Sequence, residues 1–119
     1  MLTMGEITVQ NECRLKASEM GSTLWRNNVG GFRNDQGRWI NFGLCVGSSD
    51  LIGFTPVTIT EDMVGKVLAV FTAMEVKTET GTLRKEQKKY ISFVQKHGGI
   101  AGVVKSKKDV ENLLDLCDK

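Results

Sequence analysis

Lys66-Val67-Leu68-Ala69-Val70-Phe71-Thr72-Ala73-Met74-Glu75-Val76-Lys77 is a long apolar stretch that ends on two charges. Its strand-forming composition predicts a β-strand buried on both faces at its middle, with a polar end where chemistry belongs. Side chains two apart on a strand share a face, so Glu75 and Lys77 start close together and can serve one site. An E-x-K triplet is weak by itself: with eight Glu and eleven Lys in the chain, roughly 0.7 matches arise by chance. A second match, Glu86-Gln87-Lys88, falls on a predicted helix, where i and i+2 do not share a face.

Working outward, Leu83 to His97 carries Tyr90, Ile91, Phe93 and Val94 as an apolar stripe and stops at Gly98-Gly99, which predicts a helix. Ile100 to Val104 reads as a strand and Ser106 to Leu116 as a closing helix, so residues 66 to 104 form a strand-helix-strand unit. His97, the only histidine, is expected at a helix end, and any mechanism needing two histidines is excluded. Upstream, Thr3-x-x-Glu6 has the form of a capping box. Val9, Cys13, Ala17 and Met20 then recur at helical spacing, predicting a helix over about residues 4 to 20. Thr23 to Val29 and Arg38 to Phe42, with Gly30-Gly31 as a break, read as a pair of strands or a strand and a loop, and Asp50 to Ile59 continues as strand-like sequence with Pro56 as an edge or bend.

The 119 residues, 40% hydrophobic and 25% charged, suit one mixed α/β domain spanning 1 to 119. No run of eighteen apolar residues and no signal peptide is evident, and Cys13, Cys45 and Cys117 form no CxxC pair, so a soluble protein of a reducing cytoplasm is expected. No glycine motif for a nucleotide cofactor is present. The net charge of +2 is uninformative, yet residues 84 to 108 carry Arg84, Lys85, Lys88, Lys89, Lys96, Lys105, Lys107 and Lys108 against Glu86 alone. Such clustering suits phosphate contact as well as it suits a solvated helix face. A second stretch, with Trp25, Arg26, Asn27, Asn28, Arg33, Arg38 and Trp39 around glycines, can embrace a nucleic-acid backbone, although its two tryptophans read more often as core residues.

A second carboxylate beside Glu75 would let two acids hold Mg²⁺ or Mn²⁺, polarise a phosphodiester and activate a water. Asp50, in Gly47-Ser48-Ser49-Asp50-Leu51-Ile52-Gly53, is the natural candidate, with Lys77 orienting the water or stabilising charge on phosphorus. Glu6 reads either as a capping residue or as a further ligand from the first helix, and Gln87 as a phosphate contact or a plain helix-surface residue.

Glu6-x-x-x-Gln10, Leu24-Trp25-Arg26-Asn27-Asn28 with Gly30, Phe42-Gly43, Gly47-x-x-Asp50-Leu51-Ile52-Gly53, Glu75-Val76-Lys77, Gly81-x-Leu83 and Gln87 together resemble a stand-alone VRR-Nuc (virus-type replication-repair nuclease) domain of the phage and bacterial type. The resemblance runs over nearly the whole chain. It implies a restriction-endonuclease-like PD-(D/E)xK fold, a mixed central sheet flanked by helices, and Mg²⁺- or Mn²⁺-dependent cleavage of branched DNA. For free-standing members it implies a homodimer that cuts four-way (Holliday) junctions in a bacterial or phage-infected cell; fused domains trim flaps. Carried over, Asp50, Glu75, Val76 and Glu6 belong to the metal site, Lys77 is the catalytic lysine and Gln87 the helix residue. Ser49 stands where the family has Pro. Glu12 competes with Glu6 for the helix-borne acid, and Glu6 is favoured for its Gln10 partner. Arg26, Asn28, Arg33, Arg38, Arg84, Lys85 and Lys88 are the expected DNA contacts. A non-catalytic nucleic-acid binding module and a flap or linear-DNA nuclease are the alternatives.

Overall fold

The computed structural model describes residues 3–115, which divide after Val57 into two compact units. The described residues are mixed α/β, with short helices and three two-stranded sheets.

The first unit opens with α1 (Met4–Glu19), started by the expected capping box: Thr3 Oγ1 accepts from the Glu6 amide at 3.1 Å and Glu6 Oε1 accepts from the Thr3 amide at 3.4 Å. Two antiparallel ladders follow. β1 (Thr23–Arg26) pairs with β4 (Leu51–Phe54), and β2 (Gly30–Arg33) pairs with β3 (Trp39–Phe42). β1 and β4 are mostly half-buried, and Trp25 meets Phe54 edge-on with centroids 5.7 Å apart. Helix α1 packs on β1, helped by Arg26 Nη2 donating to Asn11 Oδ1 at 2.8 Å.

Two sequence expectations change here. The inward side of α1 is Ile7, Gln10, Arg14 and Ala17, whereas Val9 and Met20 of the expected stripe are well exposed. The helix is only weakly amphipathic, and long polar side chains can lay apolar stems against a sheet. Gly30-Gly31 is strand, not a break. The missing side chains leave room for aromatic rings from β3, since a Cβ on Gly30 would meet Phe42 Cζ at 2.7 Å and one on Gly31 would meet Trp39 Cζ2 at 2.5 Å.

The second unit begins with irregular chain and a 3₁₀ turn at Glu61–Met63. The strand expected over 66 to 77 is confined to β5 (Thr72–Val76), and Val67 and Val70 are exposed. Its only partner among the described residues, β6 (Ile100–Val104), starts opposite Thr72, and the Gly98-Gly99 turn carries the chain away before that point. Residues 66 to 70 therefore have no ladder to join. Between the two parallel strands runs α2 (Lys85–Lys96), which ends at His97 as expected; Gly98, at φ 91°, takes the left-handed turn that closes the helix. The most buried side chains of this unit are Val94 of α2 with Ala101 and Val104 of β6.

The last helix, α3 (Lys107–Leu114), packs on β6 where Gly102 leaves space for Leu113. Ser106 Oγ accepts from the Asp109 amide at 3.3 Å and Asp109 Oδ2 accepts from the Lys105 amide at 2.8 Å. Removing the first bond with Ser106→Ala is expected to cost about 1 kcal/mol, read as a lower midpoint in thermal unfolding. Leu116 and Cys117 lie outside the described residues.

Candidate functional site

In the second unit, β5 brings Glu75 and Lys77 to one face, as the period of a strand requires. Lys77 Nζ lies 4.0 Å from Glu75 Oε2, with side chains only 20% and 33% exposed. The backbone is fixed independently of the side chains: Glu75 sits opposite Val103, Val76 opposite Val104, and the Lys77 amide donates to the Val104 carbonyl at 3.1 Å. Val76 turns its side chain away and is exposed. A carboxylate and an ammonium thus share one half-buried spot at the carboxyl end of a parallel strand, where positive charge can be held beside an acid without full solvent screening.

Gln87, in the first turn of α2, spends its Oε1 on the Arg84 amide at 2.9 Å and so secures the helix start. Arg84, Lys85 and Lys88 are exposed around it. Tyr90, one turn on, has its phenol pushed above its usual pKa by partial burial.

In the first unit, Glu6, Val9, Gln10 and Cys13 of α1 line a cleft of about 520 Å³ together with Asp50 and Leu51. Glu6 and Asp50 therefore face the same space, whereas Glu12 does not line it. Gln10 is 7% exposed, and its Oε1 is buried without a hydrogen-bond partner. A buried acceptor left unmet is costly and calls for a partner. Two carboxylates and an amide oxygen at one cleft are the oxygen donors that a hard divalent cation takes, so these residues fit Mg²⁺ or Mn²⁺. Among the described residues, no three His, Cys, Asp or Glu side chains converge on one point.

Asp50 is held by Asn27, a residue of the stretch that the sequence offers as a nucleic-acid backbone contact. The Asn27 amide donates to the Asp50 carbonyl at 2.8 Å, its Nδ2 donates to Ser48 Oγ at 2.7 Å and to the Ser49 carbonyl at 2.9 Å, and its Oδ1 accepts from the Leu44 amide at 2.9 Å. The turn before Asp50 is thereby stapled to the end of β1. Asn27→Ala removes three side-chain bonds and is expected to cost about 3 kcal/mol, with the Leu44 amide losing protection in hydrogen exchange. The other expected contacts of this unit, Arg26, Asn28, Arg33 and Arg38, are exposed.

The VRR-NUC domain model matches residues 9–108, a span that holds Asp50, Glu75, Lys77 and Gln87 and starts just after Glu6. No curated protein and no solved structure matches the chain. With well over half of its residues in that match, the chain belongs to the VRR-NUC domain family, and its function is of the nuclease type.

Proposed function

We propose that the chain is a Mg²⁺- or Mn²⁺-dependent endonuclease that hydrolyses phosphodiester bonds in branched DNA, four-way junctions above all, on a PD-(D/E)xK fold with a mixed central sheet. The observation that carries this reading is the Glu75–Lys77 pair, 4.0 Å apart on one face of β5 in a VRR-NUC chain. The cleft with Glu6, Asp50 and the unpartnered Gln10 oxygen supports it.

In this reading Asp50, Glu6 and Gln10 offer oxygen donors for a metal from the first unit, and Glu75 and Val76 offer theirs from the second. When bound, the metal polarises the phosphodiester and lowers the pKa of water. Lys77 contributes positive charge that favours the phosphorane-like transition state, and Glu75 beside it limits the arcs its ammonium can sweep. Gln87 fixes the first turn of the basic helix, so that Arg84, Lys85 and Lys88 meet phosphates in a constant register. One Lys77 per chain cuts one strand, and symmetric cutting of a junction then takes a homodimer. No described helix is long and apolar enough to cross a membrane; free thiols at Cys13 and Cys45 suit the reducing cytoplasm of a bacterial or phage-infected cell.

The test is incubation of end-labelled four-way junction, flap, splayed-arm and linear duplex DNA with Mg²⁺, Mn²⁺ or EDTA. Paired symmetric cuts in the junction, lost in EDTA, are expected. Preferred cutting of flap or linear DNA would overturn the substrate assignment, and binding without cutting under every metal would make the chain a nucleic-acid binding module.

A further inference from the structure

Trp39 was expected in a core and is 57% exposed. It is nevertheless fixed. One side of its ring lies over Gly31, where a Cβ would come within 2.5 Å of Cζ2, and Nε1 donates to Asn41 Oδ1 at 2.8 Å. Arg33, its partner across the ladder, has Cζ 6.0 Å from the ring centroid. Arg33 is itself tethered, donating from Nη1 to the Gly37 carbonyl at 3.0 Å. The turn between them is equally determined: Asn34 Oδ1 accepts from the Gln36 amide at 3.0 Å and from the Arg38 amide at 2.9 Å.

An indole left in water forgoes the stabilisation of burial. Here a glycine, an asparagine and an ordered turn hold it flat in that position, so little conformational freedom remains to be lost when a planar partner arrives. The surrounding charge selects the partner. From residue 20 to residue 49 the chain carries Arg26, Arg33 and Arg38 against Asp35 alone, which favours a polyanion. A second copy of the same hairpin would set these arginines against one another. Bases inside a duplex are stacked on both faces and offer none to an indole, whereas an unpaired base offers its whole face.

We propose that Trp39 is a stacking platform for an unpaired base of branched or single-stranded DNA, with Arg33 and Arg38 engaging the flanking phosphates. This rests on the reading of the chain as DNA-binding and adds to it the feature of the branch that is recognised. Base stacking supplies affinity that tolerates sequence, and only strands opened at a junction or end provide it.

The test is fluorescence anisotropy in EDTA, where no cutting intervenes, with labelled oligo-dT, a four-way junction with a single-stranded arm, and blunt duplex. Trp39→Ala is expected to weaken oligo-dT binding on the order of ten-fold, Trp39→Phe only a few-fold, and duplex binding to stay within two-fold. Indole emission quenched by oligo-dT in the wild type should persist only as the Trp25 signal in Trp39→Phe. Equal losses on single strand and duplex, no loss on either, or a change in sedimentation of the protein without a change in DNA affinity would each overturn the proposal, the last in favour of a second copy. A chain that stacks DNA on Trp39 but never cuts would refute the nuclease reading alone; one that cuts and ignores Trp39 would refute the platform alone.

Discussion

Lys77→Ala is expected to lower DNA cleavage by about 10²- to 10⁴-fold, the range for removing a positioned proton-transfer or charge-stabilising group, while DNA affinity falls only a few-fold. The separation of the two effects follows from the geometry. The backbone at Lys77 is held by its amide bond to the Val104 carbonyl, which an alanine keeps, and the side chain's close charged neighbour is Glu75 at 4.0 Å. Strand β5 thus survives, and one phosphate contact at most is lost, which would reduce the salt dependence of binding by about one unit of slope. Single-turnover cleavage of a four-way junction beside binding isotherms at several salt concentrations reads both. Cleavage within ten-fold of wild type would remove Lys77 from the chemistry.

Gly53→Ala is expected to be the most damaging single methyl in the first unit. A Cβ at this position would run into the Thr23 carbonyl oxygen and lie 2.8 Å from the Thr23 carbonyl carbon and 2.9 Å from Leu24 Cα. All three are backbone atoms of β1, and Gly53 sits opposite Leu24 in the ladder, so nothing flexible is available to give way. The strands must separate or slip. Because that ladder ends with the Arg26–Leu51 pair and the Asn27–Asp50 bond, the slip would also displace Asp50 from the cleft it shares with Glu6. A loss above about 4 kcal/mol, in the exceptional class for point substitutions, is expected. That is a large part of the stability of an ordinary domain. Urea unfolding followed by circular dichroism measures it; a midpoint unchanged from wild type would mean that β1 and β4 approach less closely than described.

Local chemistry was what the sequence made readable. Helix starts at Thr3 and Ser106 and the stop at Gly98 depend on residues within one turn, so caps and glycine placed them. The shared face of Glu75 and Lys77 needs only the two-residue period of a strand, and it holds although the strand is shorter than expected. Features set by distant partners were not readable. Residues 66 to 70 have strand composition but no strand opposite them, since β6 begins only at Ile100. Which side of α1 turns inward was decided by β1, against a weak apolar pattern that pointed to Val9 and Met20. Gly30-Gly31 resembled a break because the rings that cover it come from Trp39 and Phe42 across the hairpin. Asn27 reads as a backbone contact for nucleic acid, and its bonds to the turn before Asp50 exist only once residues 48 to 50 return beside it.

Cleavage of an end-labelled four-way junction by wild type and Asp50→Ala, side by side in Mn²⁺ and at matched DNA occupancy, tests the nuclease centre most directly. Cutting by the wild type and none by Asp50→Ala, with both proteins bound to the junction, is the expected result. Undiminished cutting by Asp50→Ala, or binding without cutting by the wild type, would contradict the proposal that Asp50 serves a metal-dependent cleavage.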